Sequence, residues 1–323
     1  MINAMAHKYS FVLSVVLATA ACAAPQKPAP EPPLQTPTQE TTSSVSDPES
    51  GDELVWWKRK EPCPEGAELK GSPPPSGQSV ACEMKGVPHG QRTLFHSNGK
   101  SASSDNYYRG KQQGRHVKWY DTGKLEEESY YRDGQLDGRF VRYYPNGSKH
   151  SEGEYHHGKE RGLFTTYAQQ GERTEVVEYV EGQRHGWSRT YYETGKIREE
   201  TEYASDLKHG NCRSYYPDGT KHEEGLYAND QHVGTWRLYR EGGMLAEETQ
   251  YLSGKKDGPV TTWQKSGVKE MEGGYKANLK NGAFNYYDED GALTKVEEYK
   301  AGKLLHTKRL PVPKKSAKVA KRE

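Results

Sequence analysis

Apolar residues are scarce in this chain of 323 residues, at 32% of the total with a mean hydropathy of −1.07. In an aperiodic chain that shortage excludes a common hydrophobic core and reads as disorder. There is no excess of charge either. The 46 Lys and Arg stand against 45 Asp and Glu, so no global field points to nucleic acid or to an acidic ligand. An apolar stretch near the N-terminus, Phe11 to Ala18, is too short to span a bilayer as a helix. Phosphate-binding glycine loops, nucleophile elbows and dinucleotide fingerprints are missing. No cofactor, catalytic residue, metal ligand or small-molecule substrate is therefore assigned.

What the chain has is a period. Glycine recurs every 24 residues from Gly90 through Gly114, Gly138, Gly162, Gly186, Gly210, Gly234 and Gly258 to Gly282. Positions are numbered below as phases, counted from this glycine. Phase nine is glycine in every unit, from Gly99 to Gly291, and phase twenty is glycine, Asp206, Asp230 or Asn278. Asp and Asn best tolerate the left-handed backbone that glycine supplies, so the requirement survives the swaps. Phase five is always aromatic, including Tyr143, Tyr167, Tyr191, Tyr215 and Tyr239, and phase seventeen is always tyrosine, including Tyr155, Tyr179, Tyr203 and Tyr227. One supersecondary unit has been copied nine times.

Each unit reads as a β-hairpin, two short aromatic runs separated by turn residues. Pro145-Asn146-Gly147 and Pro217-Asp218-Gly219 suit a type I turn closed by a left-handed glycine, a three-residue hairpin loop. That loop places phase five opposite phase eleven, and Arg189, Arg213 and Arg237 opposite Glu199, Glu223 and Glu247. The expected fold is all-β: an elongated, twisted sheet of about nine consecutive hairpins, on the order of 80–90 Å long. Each hairpin buries its rings against its neighbours, which is why so little apolar sequence suffices.

Both ends differ from this pattern. Lys8, the apolar stretch and Thr19-Ala20-Ala21-Cys22 have the layout of a secretory signal over residues 1–21. The Ala-Ala-Cys ending resembles a bacterial lipobox with Cys22 as the lipidated residue; cleavage after Ala18-Thr19-Ala20 is the alternative. Residues 22–54, with seven prolines from Pro25 to Pro48, read as a disordered tether. In an exported chain Cys63 and Cys82 are the natural disulfide pair, pinning residues 55–88, with Trp56 and Trp57, as a cap over the first strand edge. Cys212 takes an apolar position and reads as buried and silent. The repeats span 89–302, and residues 303–323 read as a basic, disordered tail.

Two polar features invite a chemical reading. Glutamates line phases thirteen and fourteen, among them Glu127, Glu128, Glu152, Glu199, Glu200, Glu223, Glu224, Glu247, Glu248 and Glu272. Neighbours on a strand point to opposite faces, so the line reads as a solvated ridge rather than paired catalytic acids. His156-His157 reads as a surface pair pointing both ways, with no third ligand.

The glycine, aromatic, glycine, tyrosine pattern, with His-Gly at His89-Gly90, His185-Gly186 and His209-Gly210, resembles the MORN repeat, most closely its bacterial variant. The resemblance covers residues 89–302 and implies a sheet of hairpins used as a binding or scaffolding surface. Some members of that variant are labelled antitoxins, but those would be cytoplasmic, and an export signal argues against carrying the role over. The resulting expectation is a non-enzymatic, exported, lipid-anchored scaffold of the cell envelope, placed at the outer membrane, with periplasmic or secreted forms as alternatives. Its partners would be proteins, with the membrane engaged through the lipid; an antitoxin-like inhibitor is the second reading.

Overall fold

The computed structural model describes residues 55–311. The expected signal sequence, Cys22 and the tether fall outside them, as does the chain from 312 onward. The described residues build one 23-stranded antiparallel sheet. Each strand pairs with the next along the chain, so the topology is a pure meander. Two lines are interrupted: Lys111–Gln112 with Gly114–Trp119 pair on Ser101–Tyr108, and Leu279–Lys280 with Gly282–Tyr287 pair on Lys269–Lys276.

Two kinds of turn alternate. Around Pro145-Asn146-Gly147, the Tyr144 N–H donates to Ser148 O at 2.8 Å and the Gly147 N–H returns to Tyr144 O at 2.8 Å, with Gly147 at φ 97°. This is the three-residue loop the sequence predicts. At phases nineteen and twenty both residues are left-handed, as in His157-Gly158 (φ 48° and 78°) and Ser205-Asp206 (49° and 69°). These are type I′ turns, whose twist matches that of the strands. The swaps at phase twenty gain a bond that glycine lacks. Asp206, Asp230 and Asn278 each use Oδ1 to accept the backbone N–H of Arg184, Lys208 and Lys256, at 3.0, 2.8 and 2.7 Å.

The first glycine of each unit does not serve a turn. Gly186 lies inside strand Gln183–Tyr191 at φ 99°, in a bulge between the pairs Tyr179–Arg184 and Val177–Ser188. A Cβ there would meet the Glu178 carboxylate, so both conformation and space call for glycine.

A second bulge corrects the expected register. Tyr191 pairs with Ile197 as predicted, but Thr190 pairs with Glu199, leaving Arg198 as an extra residue. The same insertion recurs in every unit, so Arg189, Arg213 and Arg237 face Glu200, Glu224 and Glu248 rather than their neighbours. An inserted residue moves all later partners by one and exchanges the faces they occupy.

The ends also depart from expectation. Strands Glu68–Ser72 and Ser79–Met84 continue the sheet, while Cys63 is bonded to Cys82 as expected, with Cα atoms 5.5 Å apart. Trp56 packs with Val80 and Cys82, flanked by Trp57, Ala67 and Phe95, and its Nε1 donates to Thr93 Oγ1 at 2.9 Å. The cap therefore lies on a face of the sheet; Glu68–Ser72 forms the edge itself. At the other end, Lys303–Arg309 is a strand paired with Leu293–Lys300 rather than the start of a disordered tail. Its positive charge forecasts solvation, which it has, but the type I′ turn at Ala301-Gly302 still returns it to the open backbone of its neighbour.

Candidate interaction faces of the repeat array

One face of the sheet carries a packed row of side chains. Phase two of each hairpin pairs with phase fifteen, giving a row that runs across the strands through Phe140, Gly153, Phe164, Val177, Ser188, Thr201 and Cys212 and on to Phe284. The phase-seventeen tyrosines edge onto it. Tyr155 stands between Phe140 and Phe164 at 5.5 and 5.3 Å, Tyr179 meets Phe164 at 5.3 Å, and Tyr227 meets Trp236 at 5.1 Å. Tyr203 instead carries the Arg184 guanidinium 4.2 Å above its ring. These edge-to-face contacts suit the ring quadrupoles. Burial first, then the neighbouring Glu160 carboxylate, pushes the Tyr155 hydroxyl up to about 12. Cys212 is free and buried in the same row, its Sγ 3.3 Å from Thr201 Oγ1, and burial raises its thiol.

The opposite face carries a charge ladder. The register aligns Arg189, Glu200, Arg213, Glu224, Arg237 and Glu248 in one row. Glu200 takes Arg189 at 3.3 Å and Arg213 at 3.2 Å, and Glu248 takes Arg237 at 2.8 Å. The phase-five tyrosines complete it from the following hairpin: Tyr167, Tyr215 and Tyr239 donate to Glu152, Glu200 and Glu224 at 2.6, 2.9 and 2.6 Å. Tyr191 lies under the Arg173 guanidinium at 5.6 Å, and burial raises the Tyr143 hydroxyl. Adjacent glutamates do point to opposite faces, since Glu199 accepts from Thr201 Oγ1 while Glu200 joins the ladder. The solvated-ridge reading fails at Glu200, however, which is only 7% exposed. The arginines and phenols that bury it come from neighbouring strands, which spacing within one unit does not reveal.

Two features escaped the sequence reading. Tyr120, Tyr144, Tyr192 and Tyr216, each one residue after a phase-five ring, donate to the phase-five carbonyl of the next hairpin at 2.6–2.9 Å. The Tyr-Tyr doublets were their signal. Beyond phase fourteen, strand alternation carries phases sixteen and eighteen onto the same face, where Tyr130, Val180, Leu226 and Leu252 are exposed.

His156 and His157 also need correction. They do not point apart: both Nδ1 atoms approach Asp137 Oδ2, at 3.7 and 3.5 Å. His157 opens a type I′ turn at φ 48°, which breaks the alternation that would have separated the two rings.

The chain matches the family model described as MORN repeat variant over residues 112–134, 136–157, 184–204 and 208–229. These four segments are MORN repeats. The matched MORN segments each end at a type I′ turn or beside one, and the hairpins between and beyond them repeat the same turns and phase-twelve bulges. No curated protein matches the chain. Among solved structures, TcdB2-TccC3 and TcdB2-TccC3-TEV are similar over 72% of this chain and 17% of theirs, at 12% and 13% identity with TM-scores of 0.20 and 0.19. At those scores the likeness carries no argument about fold or function.

Proposed function

We propose that this MORN-repeat protein is a non-enzymatic scaffold of the cell envelope, exported, anchored through a lipid on Cys22, and binding proteins along the ladder face of its sheet. The observation that carries the reading is that exposed Leu226 and Leu252 stand on the strands that carry Glu224 and Glu248, with exposed Val180 on the strand before Arg189. Exposed apolar groups in a patch rimmed by polar ones mark interaction sites, and rings with arginines supply most interface energy. The N-terminal sequence supports the location. A lipid without a spanning segment anchors a chain rather than threading it, and the prolines from Pro25 to Pro48 would hold the sheet away from the bilayer.

The test joins anchor and face. Cys22→Ser is expected to move the protein from the membrane to the soluble fraction; retention with cleavage at another site defeats the anchor. On the native background, the triple variant Val180→Glu, Leu226→Glu, Leu252→Glu is expected to lose the proteins crosslinked to the unaltered chain while melting as it does. Equal recovery of those proteins from both would remove this face from the reading.

A further inference from the structure

Asp137, His156 and His157 form a cluster that the repeat does not explain. Asp137 sits in strand Gln135–Tyr143, immediately before the phase-zero glycine; His156 ends the paired strand Lys149–His156, and His157 begins the turn. Their ligand atoms all lie within 4.8 Å of one another. The Asp137 side chain is only 8% exposed, and its Oδ2 is buried without a hydrogen-bond donor. The Arg132 guanidinium stands 3.8 Å from the other oxygen, beyond hydrogen-bond reach.

In four other hairpins the residue at this position is satisfied by the backbone. The side chains of His89, Gln113, Asp257 and Asn281 accept the backbone N–H of Arg109, Asp133, Ala277 and Ala301, twenty residues on, at 3.2, 2.7, 3.2 and 3.3 Å. The matching donor for Asp137 would be the His157 N–H, yet Oδ2 has no such bond and faces two imidazoles instead. A desolvated carboxylate oxygen without a donor is costly. A cation held between it and the two rings removes that cost.

We propose that Asp137 Oδ2, His156 Nδ1 and His157 Nδ1 bind a divalent first-row transition cation, zinc in the first instance. A tetrahedral zinc with nitrogen and oxygen ligands at about 2.0–2.1 Å separates them by roughly 3.3 Å. The observed 3.5 and 3.7 Å from Oδ2 need a few tenths of an ångström of closure, and the two imidazole nitrogens, within 4.8 Å of each other, close by up to about 1.5 Å through rotation of the rings. The His156 and His157 side chains, 41% and 61% exposed, are free to turn inward, and a fourth position opens to water. The donor set of two imidazoles and one carboxylate suits zinc, and copper more tightly in the general order of divalent affinities. Calcium and magnesium, which take oxygen ligands, are disfavoured.

Isothermal titration of untagged full-length protein with zinc chloride tests this. One zinc per chain is expected near neutral pH, reversed by EDTA and lost at about pH 5, where protonated imidazoles cannot ligate. His157→Asn, whose asparagine tolerates the left-handed turn, and Asp137→Asn are each expected to weaken binding by about tenfold or more, while His209→Ala leaves it unchanged. Circular dichroism identifies any variant that fails to fold, and the exposed His156→Gln repeats the test at a site with little burial. Absence of zinc binding by the native chain, or equal binding by the folded variants, overturns the proposal.

Discussion

Gly225 has no need of a left-handed backbone, yet nothing larger fits there: a Cβ would overlap the indole of Trp236. Gly153 and Gly273 stand in the same relation to Phe164 and Phe284. Where phase two of the following hairpin is small, phase fifteen grows, as Thr201 against Cys212, Thr249 against Val260 and Val177 against Ser188. Each hairpin is thus matched in volume to the next. Gly225→Val alone is expected to destabilise the protein by about 1–3 kcal/mol through overpacking. Combined with Trp236→Val it should cost less than the two single changes added together, because the pair then approaches the Thr249–Val260 arrangement. Urea melts of the four proteins measure the coupling, and strict additivity would refute the volume match. Complementarity of this kind was present in the sequence but hidden, since the matched residues are eleven apart and belong to different units.

At the level of the strand, joints between hairpins are polar as well as packed. In Lys269–Lys276, Glu272 accepts from Lys269 of its own strand at 2.7 Å and from the Tyr287 hydroxyl of the next hairpin at 2.5 Å. The Lys269 ammonium first, then the Tyr287 hydroxyl, holds its carboxyl down at about 2. A depressed folded value makes the contribution complete above the ordinary 4.5 and removes it progressively as pH falls toward 2. Glu272→Gln is therefore expected to flatten the dependence of stability on pH across that window and to leave its slope near neutrality alone. An unchanged acid slope in urea melts would mean the joint is not maintained in solution. Turns and strand positions were legible because glycine and proline chemistry is local. The phase-twelve bulge was not: its extra residues include Ala102, Glu126, His150, Thr174, Arg198 and His222, which share no chemistry a pattern could catch. The metal cluster was hidden for a related reason. The histidines were visible as a pair, but their carboxylate lies on the partner strand and the turn conformation joins them.

Across the whole sheet, each hairpin touches only the one before and the one after, so the repeat count is a free parameter while the phase is not. Deleting Gly186 to His209 joins His185 to Gly210 and preserves every phase. It also places Cys212 against Val177 in the position Ser188 holds, a modest change in volume. That protein is expected to be shorter by roughly 10 Å and only slightly less stable. Deleting Arg189 alone moves one strand by a residue and exchanges its faces, which takes a rung out of the charge ladder and is expected to destabilise more. Small-angle scattering and thermal melts compare them; unfolding of the unit deletion with a silent single deletion would contradict the one-dimensional architecture. The number of units was readable from the glycines, and the all-β class from the aromatic runs between them. The arrangement of charge along the sheet was not, because it depends on which strand follows which and on the bulges between them.

The carbonyl ladder from Tyr120 to Tyr143, Tyr144 to Tyr167, Tyr192 to Tyr215 and Tyr216 to Tyr239 has a mechanical consequence. Ladder bonds between antiparallel strands lie perpendicular to the strands, so tension applied across the strands pulls them open one after another, as a zipper opens, rather than shearing many together. The four tyrosine ties stand along one margin, and each reaches over the single strand that separates it from its acceptor. Under load the sheet would extend in steps of one hairpin, with a tie and a strand pair giving way together. Ala168 occupies the equivalent position in its unit and has no hydroxyl, so that step would yield at lower force.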